Sequence, residues 1–342
     1  MIKHLYILLI FILFSACVKD KPNTTIAPSV QLSNNKKVYV VNEGVYPTGT
    51  AEVSLYDPSN GAVIEKFYNS QNNEAVGDVA QNLISYNHKF YLVVNNSNKI
   101  IVCNEQFKKI AQINALNSPR YILPITNSKA YVSDLYANAI SIVDLNTNTI
   151  TGSIPCSGWT EKMVLSYNKA FVTNMKRNYV YVINTITNIK TDSILVGSNA
   201  GSVVIDRNDK IWVLSAGTQS AGIAGSLKKI NPVTNSVESD FVFSTGDSPN
   251  NLCLNKTKDT LYFLNKGIYK MPINATAIPN AAIIDNGNKN FYGLGINPND
   301  FTIYVSDALD YIQKSNVYIF DANGNQKSFF KAGINANGFY FE

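Results

Sequence analysis

Histidine is almost missing from this chain: two stand among its 342 residues, and one of them, His4, belongs to an apolar N-terminal stretch. With only His88 left, a Ser–His–Asp or Cys–His arrangement is hard to assemble, and histidine-based metal sites are excluded. Charge is scarce too, at 15% of residues, and no Lys/Arg run exceeds two. A nucleic-acid binder concentrates basic side chains in a stripe. The net charge of +5 therefore reads as solubility, with nucleic acid excluded as a partner. The four cysteines include no CxxC pair. Beyond Cys17, Cys103 and Cys253 fall in strand-like runs and Cys156 in a loop-like segment, an odd set that argues for buried free thiols. No GxxxxGK[ST] segment is present to cradle phosphate, and no long amphipathic helix appears. These absences lead to the expectation that the chain is not an enzyme and requires no cofactor. A calcium-dependent hydrolase using Asp, Glu and Asn stays open, although no clustered ligand spacing points to one.

What is present begins with a leader. Lys3 and His4 precede an apolar run over 5–13, too short to span a bilayer as a helix but the length of a secretory core. It ends in Phe14-Ser15-Ala16-Cys17, which resembles the bacterial lipobox and implies a lipid on Cys17. The polar stretch 18–35, with Pro22 and Pro28, reads as a flexible tether. Within it, Lys19-Asp20-Lys21 resembles the export signal of Bacteroidota surface lipoproteins. The chain divides accordingly into a signal peptide (1–16), a lipidated cysteine with its tether (17–35) and one folded domain (36–342). The expected location is the outer membrane, lipid-anchored and facing outward.

Internal repetition decides the fold of that domain. An aromatic followed by an apolar residue recurs at Tyr39, Tyr91, Tyr131, Phe171, Trp212, Tyr262 and Tyr304, at spacings of 52, 40, 40, 41, 50 and 42 residues. Each is followed by alternating apolar residues, which in six of the repeats end on Asp57, Asn104, Asp144, Asn184, Asn231 or Asp321; the sixth repeat, Ile268 to Pro272, is degenerate. Asp and Asn suit such positions because their side chains bond nearby backbone N–H groups and tolerate turns. Period-2 alternation with a repeat near 40 predicts an all-β, seven-bladed propeller of four-stranded antiparallel blades. Repeat one lacks an innermost strand upstream of Tyr39, whereas Gly338 to Phe341 stands alone at the other end. That run is expected to complete blade one and close the ring, so that no sheet edge stays open.

Tyr131-Val132 and Phe171-Val-Thr-Asn174 resemble the YncE-like, YVTN-repeat propellers. Val38-Tyr-Val-Val-Asn-Glu-Gly44, Gly77-Asp-Val-Ala-Gln81, Tyr91 to Lys99 and Ser118-Pro-Arg-Tyr121 resemble the BtuG-type cobalamin-capturing surface lipoproteins of Bacteroidota. The resemblance implies a monomeric propeller that binds a corrinoid (vitamin B12) as its ligand and hands it to a TonB-dependent outer-membrane transporter. A protein- or glycan-binding scaffold is the alternative.

In a propeller, the loops from the second to the third strand of each blade, and those between blades, gather at one end of the central channel. The candidate ligand-binding residues there are Tyr46, Asp78, Gln81, Asn95, Asn96, Arg120, Asp134, Tyr136, Trp159, Asn174, Lys176, Arg177, Tyr292 and Tyr311. Aromatic rings cover a broad, partly apolar ligand at low entropic cost, and amide and charged groups satisfy its polar rim. Trp159 could instead pack between blades, Arg120 could clamp a neighbouring acid, and Asp78 and Gln81 could cap a turn. His88 is expected on the opposite face, as a solvated turn residue.

Overall fold

The computed structural model describes residues 36–342. The expected signal peptide, Cys17 and the tether lie outside the described residues. Seven four-stranded antiparallel sheets make up the domain. Blade three shows the pattern: strands a to d are Pro119–Pro124, Lys129–Asp134, Ala139–Asp144 and Thr149–Pro155. Blade one takes strands b to d from Val38–Asn42, Glu52–Asp57 and Ala62–Ile64, and its innermost strand from Ala336–Phe341. Val38 faces Phe341 and Tyr39 faces Tyr340, so the closing strand pairs along the whole of strand b. It begins two residues earlier than the isolated sequence run indicated.

Alternation accounts for the core. In blade two, Phe90 and Leu92 face blade one while Tyr91 and Val93 face blade three. Seven apolar clusters result, one at each junction between neighbouring blades. The seven repeated aromatics are all buried within them, Tyr131, Phe171 and Trp212 completely. The two long repeat spacings also have structural causes. A six-residue helix, Phe67–Asn72, sits between blades one and two and buries Phe67 and Tyr68. In blade five, a long loop containing a short 3-10 turn, Gln219–Ala221, joins strands b and c.

The Asp and Asn that end each third strand do what their chemistry predicts. Asp57, Asn104, Asp144, Asn184, Asn231 and Asp321 each accept a backbone N–H two residues ahead, at 2.8–3.1 Å. Cys103, Cys156 and Cys253 are free thiols. No helix among the described residues is long and apolar enough to cross a membrane.

Candidate functional site: the channel mouth and its loop face

Each innermost strand carries a β-bulge at the same end. Register slips between Ala80 and Asn82, Pro119 and Ile122, Thr160 and Met163, Ala200 and Ser202, Asn250 and Cys253, and Phe291 and Leu294. In blade one the slip leaves Asn337 without an opposite residue. A bulge breaks the alternation and re-aims side chains. Here it turns Gln81, Arg120, Glu161, Gly201, Asn251, Tyr292 and Asn337, one from every blade, onto a cavity of about 610 Å³ at the channel mouth. Gln81, Arg120 and Tyr292, read from sequence as residues of inter-blade loops, are thus strand residues. The strands start earlier than alternation indicated because the bulge masks their first residues.

The wall is polar and hydrogen-bonded. Arg120 Nε donates to both Glu161 oxygens at 3.0 Å, and Arg120 Nη1 donates to Gln81 Oε1. The acid that clamps Arg120 is therefore this glutamate of the next blade. Glu43 accepts from the Tyr292 hydroxyl at 2.6 Å and from Asn337 Nδ2 at 2.7 Å. Burial holds the carboxyls of Glu43 and Glu161 above the ordinary range, outweighing the hydrogen bonds and the Arg120 charge at both. Tyr121 lies beside this network, its hydroxyl 3.4 Å from Gln81 Nε2, and Lys162 Nζ stands 5.8 Å from its ring centroid.

Around this mouth the loops expose aromatic side chains: Tyr46 at 68%, Tyr136 at 59%, Tyr311 at 48% and Trp159 at 38%. Trp159 meets Tyr136 edge-on at 6.2 Å, and Lys176 Nζ lies 5.4 Å from the centroid of its ring. Trp159 is thus partly exposed on the loop face, between Tyr136 of blade three and Lys176 of blade four. Tyr311 packs edge-on against Tyr292 at 5.7 Å, linking the loop face to the cavity wall. Arg177 is exposed beside Lys176.

Other candidates hold the loops themselves. Asp134 accepts backbone N–H groups from Ser118, Tyr136 and Ala137. Asn174 accepts from Lys176 and Arg177 and donates to the Ser157 carbonyl. Asn95 is buried and donates to Ser118 and Pro119. Asp78 accepts from Asn96 Nδ2 at 2.5 Å, fixing two candidates on each other. His88 sits at the far end of its blade, exposed, against Glu105 Oε1 at 2.6 Å. Sequence reading passed over Tyr121, Lys162, Asn82, Asn251 and Asn337. Their signal was a pair of consecutive residues at the start of an innermost strand that do not alternate. No cluster of three or more His, Cys, Asp or Glu able to hold a metal ion occurs among the described residues.

A family model for a domain of unknown function, DUF5074, matches residues 36–342, the whole propeller. The chain belongs to the DUF5074 family. No curated protein matches this DUF5074 chain. Among solved structures, a quinoprotein alcohol dehydrogenase-like protein from Bacteroides thetaiotaomicron is similar with a TM-score of 0.72 at 14% identity, covering 90% of this chain and 79% of that one. The periplasmic gluconolactonase of Pseudomonas aeruginosa gives 0.67 at 9% identity, covering 90% and 98%. A protein from Lactobacillus plantarum gives 0.65 at 12%, covering 90% and 99%. These likenesses correct one expectation. A gluconolactonase and a quinoprotein alcohol dehydrogenase-like protein stand on this same fold, so the expectation that the chain is not an enzyme does not hold. At such identities the likeness shows the fold, and no particular activity comes with it.

Proposed function

We propose that this DUF5074 propeller is a lipid-anchored protein of the outer membrane that captures a corrinoid on its loop face and passes it to a TonB-dependent transporter. The exposed aromatic set Tyr46, Tyr136, Trp159 and Tyr311 around a polar mouth carries the reading. Solvent-facing aromatic rings in one rim are what a broad ligand with an apolar face and amide edges requires. A macrocycle of that breadth rests across the mouth, where Lys176 and Arg177 reach its edge. His88 stands at the opposite end of its blade, so a bound corrinoid would keep its cobalt free of this histidine.

Calorimetry and co-elution of the purified propeller with cyanocobalamin test this directly. Micromolar binding is expected, weakened about tenfold or more by Trp159→Ala and by Tyr136→Ala, since the Trp and Tyr hot spots of an interface cost about 2 kcal/mol or more when truncated. No heat and no co-elution at those concentrations would sink the corrinoid reading and leave a glycan or protein ligand for the same rim. The anchor is tested separately: Cys17→Ser should move the protein from the membrane fraction to the soluble fraction, and intact mass should show an acylated Cys17 in the parent.

A further inference from the structure

One charged side chain of the cavity wall is without a hydrogen-bond partner among the described residues. Arg120 and Glu161 hold each other, and Glu43 is held by Tyr292 and Asn337. The Lys162 ammonium makes no hydrogen bond or ion pair among the described residues; the Tyr121 ring lies beside it, and the nearest carboxylate, Glu161, is already paired with Arg120. The nearby Cys253 thiol is pushed up to about 12 by burial, so it stays neutral and supplies no counter-charge. Burial also draws the Lys162 ammonium below the usual lysine range, a cost that an anion against it would remove.

The shape of the cavity agrees. Blade five, the next around the ring, lines it with Gly201 and Ser202 alone, so the wall beside Lys162 has little bulk. A ligand that filled the space would meet one cationic donor and, from blade six, the amides of Asn250 and Asn251 to bond its hydroxyl groups. The volume of about 610 Å³ is within the range of small-molecule pockets.

We propose that Lys162 anchors an internal binding site, beneath the aromatic rim, for a small hydroxylated molecule bearing a carboxylate or a phosphate. The site stands on the cavity wall and does not depend on what the rim captures. Two probes separate the anion classes: inorganic phosphate for a phosphoryl group and D-gluconate for a hydroxylated carboxylate, each at matched ionic strength against sodium chloride. Saturable stabilisation of the wild-type propeller by at least one probe is expected. Lys162→Met should weaken it about tenfold or more and Lys162→Arg should retain it, because a charge-assisted hydrogen bond is lost in the first and kept in the second. Acetic anhydride labelling of the wild-type protein, read by peptide mass, needs no variant. The bound probe should slow acetylation of Lys162 and leave that of the exposed Lys266 unchanged. No stabilisation by either probe, equal stabilisation in Lys162→Met, or unprotected Lys162 would each overturn the site. A cyanocobalamin titration that fails while these succeed would remove the rim reading and keep this one.

Discussion

Glu161 is 3% exposed, and both its oxygens face Arg120 Nε at 3.0 Å. Removing the cation alone leaves a buried carboxylate uncompensated, so Arg120→Met is expected to cost about 3–5 kcal/mol in urea unfolding. Arg120→Met with Glu161→Gln should recover a large part of that loss. Glu52 poses the opposite case, a buried carboxylate that among the described residues accepts from the Ser54 hydroxyl at 3.3 Å and has no cation in pairing distance. Burial raises its pKa in the folded state above the ordinary carboxylate value. The native state therefore holds that proton more tightly than the unfolded chain does. The stability it contributes is full below the unfolded pKa and is lost as pH rises through the folded one. Glu52→Gln should thus be more stable than the parent at neutral pH, with a shallower fall in stability across this window when melting is followed from pH 4 to 8. Glu43 and Glu161 act in the same sense, so the slope shrinks without vanishing. Residue roles were half legible in the sequence. The Asx signal at the third-strand ends was read correctly as turn chemistry. The same chemistry holds the loops at the second-strand ends through Asp134 and Asn174, which the sequence offers as ligand-binding candidates because those loops lie on one face.

At the scale of the element, the closing strand joins the two described ends of the chain in one sheet. Phe339 and Phe341 pack on Tyr304 at 5.8 and 5.2 Å, and Tyr340 packs on Tyr39 and Phe90 at 5.9 and 5.4 Å. Deleting Gly338 to Glu342 removes these contacts and exposes the edge of Val38–Asn42, so a melting curve should show a large drop or no cooperative transition. A milder lesion tests the same seam. A Cβ at Gly293 would stand 2.7 Å from the Ala336 carbonyl, so Gly293→Ala should push blade seven off the closing strand and lower the melting temperature. Blade count and strand order were readable because period-2 alternation and a repeat near 40 are global signals that a single irregular residue does not erase. The bulges were not, since a register slip looks in sequence like a strand that starts late. They are also what forms the cavity wall, which is why Gln81, Arg120 and Tyr292 were found by residue type and placed in the wrong element.

Across the whole molecule, seven similar junctions hold the ring, and only blade one mixes strands from both ends of the chain. The backbone N–H of Glu342 donates to the Lys37 carbonyl at 3.0 Å, so the described ends can be joined by a short linker. New ends can then be opened in two ways. A cut in the exposed turn at Asn146 and Thr147 leaves strand d of blade three to return from the far end of the permuted chain, so hydrogen bonds still fasten the ring. A cut in the exposed loop at Gly246 makes every blade contiguous, and the ring is then held at that junction without strand pairing, by side-chain packing between blades five and six, one backbone hydrogen bond from Arg207 to Lys258 and the Arg207–Asp259 ion pair. Loop tips of this kind tolerate new termini, so both permutants should fold. If backbone pairing across the chain ends is what fastens the propeller, the permutant opened at Asn146 should melt higher and unfold more slowly than the one opened at Gly246. Equal unfolding rates would mean that the apolar clusters at the junctions suffice to keep the ring closed, and would assign the closing strand a role in shaping the channel mouth through Asn337 instead.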